Sequence, residues 1–429
     1  MKNILSILLA AFLQLSCTSQ EVVEKSKSLE PILKTIKTID PKDEDFSDLQ
    51  FLKKIIERDS VQIIMLGEQT HGDGSTFLAK TRLIKFLYKE AGFDVLAFES
   101  GLFDCTYAWD RIKQNRKYYD EIRRAVFPMW VGTKECEELL DYLQSTLTTS
   151  RPLELSGFDS RITGDGYNNC SVFCEQMKNL VPDLLTINED SLFEKLACLD
   201  EEIKNSEDIT YNLSLLDKVC NKFDSLAKIN NNYEYWRNVV YGVRTTYKRF
   251  TSYGLDGAII NSEFNGRDIQ MGNNLVWLSK NKYKKRKIIV WAASFHNFRR
   301  LGELVSVDEK YKFINEVYKK TITMGDVLYD SLGSSIYSIG FTQYSGERRN
   351  IENQNIENIP EHNYNSLENI IHKAGNEYIY IDLRDFNNPT WLKEDFISNM
   401  QSKGEFKGVW KNVTDGIFYI EEMKPSNFR

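Results

Sequence analysis

Residues 61–101 read VQIIMLGEQTHGDGSTFLAKTRLIKFLYKEAGFDVLAFESG, and this stretch decides the fold. Val61 to Leu66 is a continuous apolar run ending in Gly67-Glu68-Gln69-Thr70-His71-Gly72. Ser75 or Thr76 is placed to cap a helix on which Ile84, Leu87 and Tyr88 share a face. Asp94 to Phe98 is a second apolar run, closed by Glu99. Apolar runs of this kind mark strands buried on both faces, so the pattern is strand, helix, strand. In such units reactive side chains gather beyond the carboxyl ends of the strands. Glu68, His71 and Glu99 all fall there.

Outward from this unit the pattern continues. Residues 46–60 predict a helix leading into the first strand, and a loop is expected from Ser100 to Asp104. Helical patterns cover 104–125 and 133–147, separated by Phe127-Pro128-Met129-Trp130, and Leu153–Asp159 reads as a strand ending in a carboxylate. From 170 to 250 three stripes stand at helical spacing: Leu192, Leu196, Leu199, Ile203; Leu216, Val219, Phe223, Leu226; and Trp236, Val239, Val243, Tyr247. They predict a helical bundle packed over the strand ends. Strands resume at 287–291, 335–342, 377–383 and 416–421, and 347–365 reads as a surface loop. The expectation is an α/β fold with a mainly parallel central sheet flanked by helices. Residues 46–169 and 251–429 form the two parts of the core, and 170–250 form a helical insertion subdomain.

The first residues stand apart. Lys2 precedes an apolar stretch, Ile4 to Leu15, that is shorter than the roughly 20 residues a spanning helix needs. Ser16-Cys17 follows, so 1–17 reads as a lipoprotein-type signal peptide with Cys17 as the lipidated residue. Residues 18–45 are polar and read as a tether. The protein is thus expected to be exported and held to the cell envelope through a lipid on Cys17. A net charge of −7 supplies no basic excess for phosphates, so no nucleic-acid partner is expected. Six further cysteines (105, 136, 170, 174, 198 and 220) permit disulfides without revealing their pairing. No metal-site spacing is present among them. The sequence assigns no oligomeric state.

The chemistry concentrates at the strand ends. Of the four histidines, His71 and His296 each follow a buried strand, while His362 and His372 lie in a later polar region. A histidine near neutral pKa removes a proton from water, and a neighbouring carboxylate orients it. Glu68 and Glu99 are the candidates for that role; their competing role is ion pairing with Lys80, Arg82 or Arg267. The glycine spacing after Leu66 imitates a phosphate loop, but Asp73 stands where the phosphate-binding lysine belongs. No G-x-S-x-G elbow occurs. A metal held by His71, His296, Glu68 and Glu99 is compositionally open, but the reading names no metal and no cofactor.

Several blocks together resemble the erythromycin esterase-like hydrolases. They are G-E-Q-T-H-G with Lys80, Phe98-Glu99, Phe127-Pro128-Met129-Trp130, Gly157-Phe158-Asp159, Arg267-Asp268-x-x-Met271-x-x-Asn274, Val290-Trp291-Ala292 and Met324-Gly325. The resemblance implies a metal-independent ester hydrolase, with macrolide lactones as family substrates, that uses no covalent intermediate. It implies His71 as general base, with Glu68 and Glu99 in support. His296 is then expected to complete the catalytic group, with Lys80, Arg267, Asp159 and Trp130 on the substrate. Two positions depart from the family. Its W-A-H-N-x-H reads here Trp291-Ala292-Ala293-Ser294-Phe295-His296, and its helical Arg is Lys80. Two other functions stay open: a non-enzymatic surface lipoprotein binding a small ligand in the cleft that the resemblance implies between the α/β core and the helical part, and a metal-dependent hydrolase of another substrate.

Overall fold

The computed structural model describes residues 20–162, 169–199, 208–252, 262–402 and 404–429. The expected signal peptide with Cys17, and Ile203 of the first helical stripe, lie outside the described residues. In chain order the strands are β1 (Lys34–Thr35), β2 (Ile63–Leu66), β3 (Phe93–Gly101), β4 (Glu154–Asp159), β5 (Lys287–Trp291) and β6 (Val305–Ser306). There follow β7 (Ile336–Arg349), β8 (Ile356–Asn358), β9 (Tyr378–Asp382), β10 (Phe396–Gln401), β11 (Gly404–Gly408) and β12 (Gly416–Met423).

Eight strands run in the order β1-β9-β12-β7-β2-β5-β3-β4, with β8 paired to β7 as a ninth; β10-β11-β6 form a separate antiparallel sheet. The block from β12 to β4 is parallel throughout, while β9 and β1 close one edge antiparallel, so the α/β expectation holds. Although β2 and β3 are joined by one helix, they are not neighbours. β5, some 190 residues later in the chain, slots between them. Glu68 and Glu99 therefore end up on either side of the β5 terminus.

Alternation along the strands explains the layers, because successive side chains leave a strand on opposite faces. Ile64, Leu66, Leu96, Phe98, Ile289 and Trp291 join one core with the helices Gly74–Glu90 and Glu137–Thr146. Ile63, Met65, Val95, Ala97, Ile288 and Val290 join the other, with Phe173, Phe193, Leu216, Phe223, Val239 and Val243. These six come from the helices Asn169–Leu180, Ile187–Cys198, Ile209–Ile229 and Tyr233–Ser252. The bundle expected over the strand ends is thus a layer against one face of the sheet. The Tyr233–Ser252 helix reaches a strand end, where the Ser160 and Thr246 hydroxyls lie 3.3 Å apart.

Other expectations need correcting. Residues 20–45 are not a free tether. A helix over 20–29 buries Val22 and Leu29, β1 pairs with β9, and Ile32, Ile36 and Ile39 are also buried. From Leu29 to Ile39 these apolar positions stand three or four apart, as on a helix, but past residue 29 the chain runs as turns and the short strand β1. Neither Ser75 nor Thr76 caps the helix Gly74–Glu90; Ser75 Oγ instead accepts the Lys424 backbone N–H at 2.9 Å. The expected helix 104–125 is two, Leu102–Lys113 and Tyr118–Ala125, broken where Asn115 takes a positive φ of 64°. Part of the surface loop 347–365 is a hairpin of β7 and β8. The expected helical stripe from Leu192 to Ile203 is cut short: the helix ends at Cys198 with Leu199 in a left-handed turn, and a Cys170–Cys198 disulfide ties that helix to its neighbour.

Candidate active site

The loop after β2 carries the first half of the site. Glu68 is wholly buried, yet both carboxylate oxygens are matched by donors. Lys80 Nζ donates to Oε2 at 2.6 Å, while Trp130 Nε1 donates to Oε1 at 2.9 Å and His71 Nδ1 lies 2.6 Å from that same oxygen. Burial alone would push this carboxyl up, but Lys80 and His71 outweigh it and hold it below the usual value. Burial draws the Lys80 ammonium down against the pull of Glu68; at 2.6 Å the pair stays ionised. Lys80 also donates to the Ala292 carbonyl at 3.3 Å and lies 4.4 Å from the centre of the Trp291 ring. With Nδ1 committed to Glu68, the His71 ring keeps Nε2 free, and its side chain is 23% exposed.

The turn itself is held from below. Thr70 donates to Asp73 through its backbone N–H at 2.8 Å and its hydroxyl at 2.7 Å. Burial pushes Asp73 up to about 6. Gly67 has no room for a side chain: a Cβ there would sit 2.5 Å from Ser294 Oγ and 2.9 Å from the Ile339 carbonyl oxygen.

The second half is built on Arg267, from the helix Ser262–Trp277. Its guanidinium donates to Glu99 Oε1 at 2.8 Å and to Asp159 at 2.7 and 3.1 Å. Burial would raise both carboxyls, but the cations beside them win. His296 and Arg267 hold Glu99 well below the usual range, with His71 adding to the effect, and Arg267 and Arg161 hold Asp159 down. His296 has Asp268 Oδ2 at 2.9 Å on Nδ1 and Glu99 Oε1 at 3.2 Å on Nε2. Burial would lower this imidazole, but the two carboxylates push it up to about 9. It is a cation at neutral pH, so Nε2 donates to Glu99, and the 3.2 Å approach of Arg267 Nη1 is packing only.

One loop joins the halves through its backbone. Ala292 C=O accepts from Lys80, Ala293 N–H donates to Glu99 Oε2 at 3.0 Å, and Ser294 N–H donates to the Glu68 carbonyl at 2.8 Å. The structure thus brings Glu68, His71, Lys80, Trp130, Glu99, Asp159, Arg267 and His296 together at the strand ends. Their surroundings divide them. Lys80 and Trp130 are fully buried, and Asp159 and Arg267 nearly so. Where substrate contacts were expected, the structure shows contacts within the site: Lys80 and Trp130 donate to Glu68, Arg267 donates to Glu99 and Asp159, and Asp159 accepts from Arg267 and Arg161. His296, with both nitrogens taken by carboxylates, also supports rather than reacts. A metal has no ready seat here, because Lys80 and Arg267 already neutralise Glu68 and Glu99.

Sequence reading passed over two members. Asp268 stood in a quoted motif, and its role emerges only when β5 brings His296 to it. Arg161 has a side chain 28% exposed; it reaches Asp159 at 3.1 Å and lies 5.0 Å from the Phe127 ring. Nothing in its local sequence signals that position. A cavity of about 620 Å³ lined by Thr38, Lys42, Glu135, Glu138 and Glu421 contains none of the site residues.

Comparison with known proteins places this geometry. The family described as erythromycin esterase matches residues 88–423, which takes in the second half of the site and begins beyond Glu68 and His71. A putative hydrolase of Bacillus subtilis (strain 168), YbfO, is 26% identical over 98% of this chain and 97% of its own length. Erythromycin esterase type II of Escherichia coli is 22% identical, covering 90% of this chain and 94% of its own. The solved structure of an erythromycin esterase mutant, EreC in its open conformation, shares the fold with a TM-score of 0.70 at 15% identity, covering 92% of this chain and 98% of that one.

Proposed function

This chain belongs to the erythromycin esterase family, and from that premise we propose that it hydrolyses an ester with a water molecule activated by His71. The observation that carries this reading is the orientation of His71. Glu68 fixes the proton on Nδ1, so on this partly exposed side chain Nε2 carries the lone pair that can take a proton from water. Water gives a proton to Nε2 as its oxygen bonds to the ester carbonyl carbon. The same proton passes to the alkoxide oxygen as the acyl C–O bond breaks, giving an acid and an alcohol with no enzyme-bound acyl group. Arg161, the partly exposed cation beside Asp159, is the group suited to the developing oxyanion or to an acidic part of the substrate. Macrolide lactones are one substrate class to test. Ala293, where the family carries a histidine, argues for a preference of this chain's own.

Incubation of the purified protein with macrolides and simple esters, read by mass spectrometry, should show either a gain of 18 mass units in a lactone or the separate acid and alcohol from an open-chain ester, for at least one substrate. General-base help is worth about 10²–10⁴-fold, so His71→Ala should lose turnover by at least about a hundredfold. A substrate panel returned unchanged favours a ligand-binding protein, and full activity in His71→Ala removes the proposed mechanism. Export with a lipid on Cys17 belongs to the same proposal. Lys2 and the apolar Ile4–Leu15 support it, as does the Cys170–Cys198 disulfide, since such bonds persist in oxidising compartments. Metabolic labelling with an alkyne fatty acid should mark the protein and be abolished by Cys17→Ala. An unlabelled protein in the cytosolic fraction would overturn this part.

A further inference from the structure

His362, Glu368 and Glu405 meet away from the ester site. Glu368 lies in the first turn of the helix Leu367–His372, His362 precedes that helix, and Glu405 is on β11. One donor atom from each lies within 4.8 Å of the other two. Glu368 is fully buried, and its oxygens are treated unequally. Oε1 accepts from Thr342 Oγ1 at 2.6 Å, Ser398 Oγ at 2.7 Å and the Asn399 backbone N–H at 2.9 Å. Oε2 is buried and has no hydrogen-bond partner among the described residues. An unpartnered oxygen on a buried carboxylate is costly, and a cation is the partner that removes the cost.

His362 makes the same demand independently. Its side chain is 1% exposed, and its Nε2 lies 2.9 Å from the Gln343 carbonyl oxygen. A carbonyl only accepts, so Nε2 carries the proton. In the neutral ring Nδ1 then points a lone pair at Glu405 Oε1, 3.2 Å away, which also accepts the Asn363 N–H at 2.9 Å. Either Nδ1 is protonated or a cation bridges the two atoms. Donors bound about 2.0–2.2 Å from a tetrahedral ion lie about 3.3–3.6 Å apart, a little beyond the distance found. A ring N–H given to a backbone carbonyl is also how metal-bound histidines are usually oriented.

We propose that His362, Glu368 and Glu405 bind one divalent cation of the zinc class, with imidazole nitrogen and two carboxylates as ligands. The ion braces the fold instead of entering the hydrolysis. It ties the Leu367–His372 helix to β11, and Asn399 carries the link onward: its N–H donates to Glu368, and its carbonyl accepts from Gln69 Nε2. Gln69 adjoins Glu68, so the cation sits behind the catalytic loop. This inference stands independently of the esterase reading.

The test uses the full chain, stripped with a chelator, dialysed against zinc or manganese chloride and washed. Elemental analysis should find about one equivalent per chain, and thermal denaturation should show a midpoint several degrees above the stripped protein. His362→Asn and Glu405→Gln should each weaken binding by at least about tenfold. His372→Asn, at another His–Glu pair with His372 Nδ1 2.6 Å from Glu421 Oε1, should leave it unchanged. Glu368→Gln risks misfolding, so Glu405→Gln, at a side chain 14% exposed, decides. Metal at background level in the wild type overturns the proposal, as does a stoichiometry that ignores both His362→Asn and Glu405→Gln. A stripped protein that binds nothing and loses stability only as His362 deprotonates would assign the cluster to a plain imidazolium–carboxylate pair.

Discussion

Glu68→Gln separates the two duties given to one carboxylate. Glu68 neutralises Lys80 at 2.6 Å in a wholly buried site, and it holds the His71 Nδ1 proton at 2.6 Å. A glutamine keeps the shape but brings an amide donor into a set of three donors, and it leaves the Lys80 ammonium without a counter-charge. Removing one partner of a buried pair costs about 3–5 kcal/mol. Lys80→Met should cost a similar amount by stranding the carboxylate. The double variant Glu68→Gln/Lys80→Met strands no charge, so in urea denaturation its loss should fall short of the sum of the singles by about 1–3 kcal/mol. Turnover should behave differently. Without the carboxylate, His71 loses its fixed tautomer, a loss of about 10⁴-fold where the equivalent acid of a serine-protease triad was neutralised. Glu68→Gln should therefore lose at least about a hundredfold in kcat. The double variant, though more stable than the singles predict, should stay equally slow. Two results refute the reasoning: a Glu68→Gln enzyme within about threefold of wild type, or a double variant whose turnover recovers along with its stability.

Other expectations follow from particular contacts. His296 has a folded pKa of about 9, above its unfolded value of about 6.5. Its stabilisation is fully present below about pH 6.5 and is lost as the pH rises through 9; it amounts to about 3 kcal/mol. His296→Gln should flatten that alkaline slope in denaturation curves taken from pH 6 to 10, and an unchanged slope would show that another group produces it. Gly67→Ala pushes a methyl group to 2.5 Å from Ser294 Oγ and 2.9 Å from the Ile339 carbonyl oxygen. Such overpacking costs about 1–3 kcal/mol, with a drop in turnover because Glu68 is the next residue; a variant as stable as wild type would contradict it. Opening the Cys170–Cys198 bond, which spans 28 residues, should cost about 3–4 kcal/mol on the loop-entropy estimate. Cys170→Ser/Cys198→Ser should show this by urea denaturation while keeping kcat, since the bridge lies in the helical layer.

The fold was legible where the physics is local. Ile63–Leu66 and Ile288–Trp291 are apolar at every position because parallel strands are covered on both faces, and such runs survive without context. The short strands β6, β10 and β11 were not legible, nor was the burial of 20–39. Their apolar residues are few and interrupted by polar ones such as Ser398, Lys407 and Thr35, and strand pairing defines the elements. The site was legible as a list but not as a division of labour. Strand ends in sequence identify Glu68, His71, Glu99 and His296. Only the insertion of β5 between β2 and β3 decides which of them meet which cations. That decision turns His296 from an expected member of the catalytic group into a buried cation, and Lys80 from an expected substrate contact into the counter-ion of Glu68.

The same topology explains how the chain tolerates its two departures from the family pattern. Residues 292–294 hold both carboxylate loops through main-chain groups: a carbonyl to Lys80, an N–H to Glu99 and an N–H to the Glu68 carbonyl. None of these depends on a side chain, so alanine at 293 deletes an imidazole without releasing either glutamate. Lysine at 80 fits the same logic. Its ammonium takes only Oε2 of Glu68 and the Ala292 carbonyl, leaving Oε1 to Trp130 and His71. An arginine at that position would span both oxygens with its planar fork and compete for the one that orients His71. The half of the site proposed to activate water therefore keeps its contacts, and what changed is the face an imidazole at 293 would have offered to the bound molecule. The difference between this chain and the macrolide esterases should accordingly appear in which substrate is accepted, with the proton-transfer step left in place.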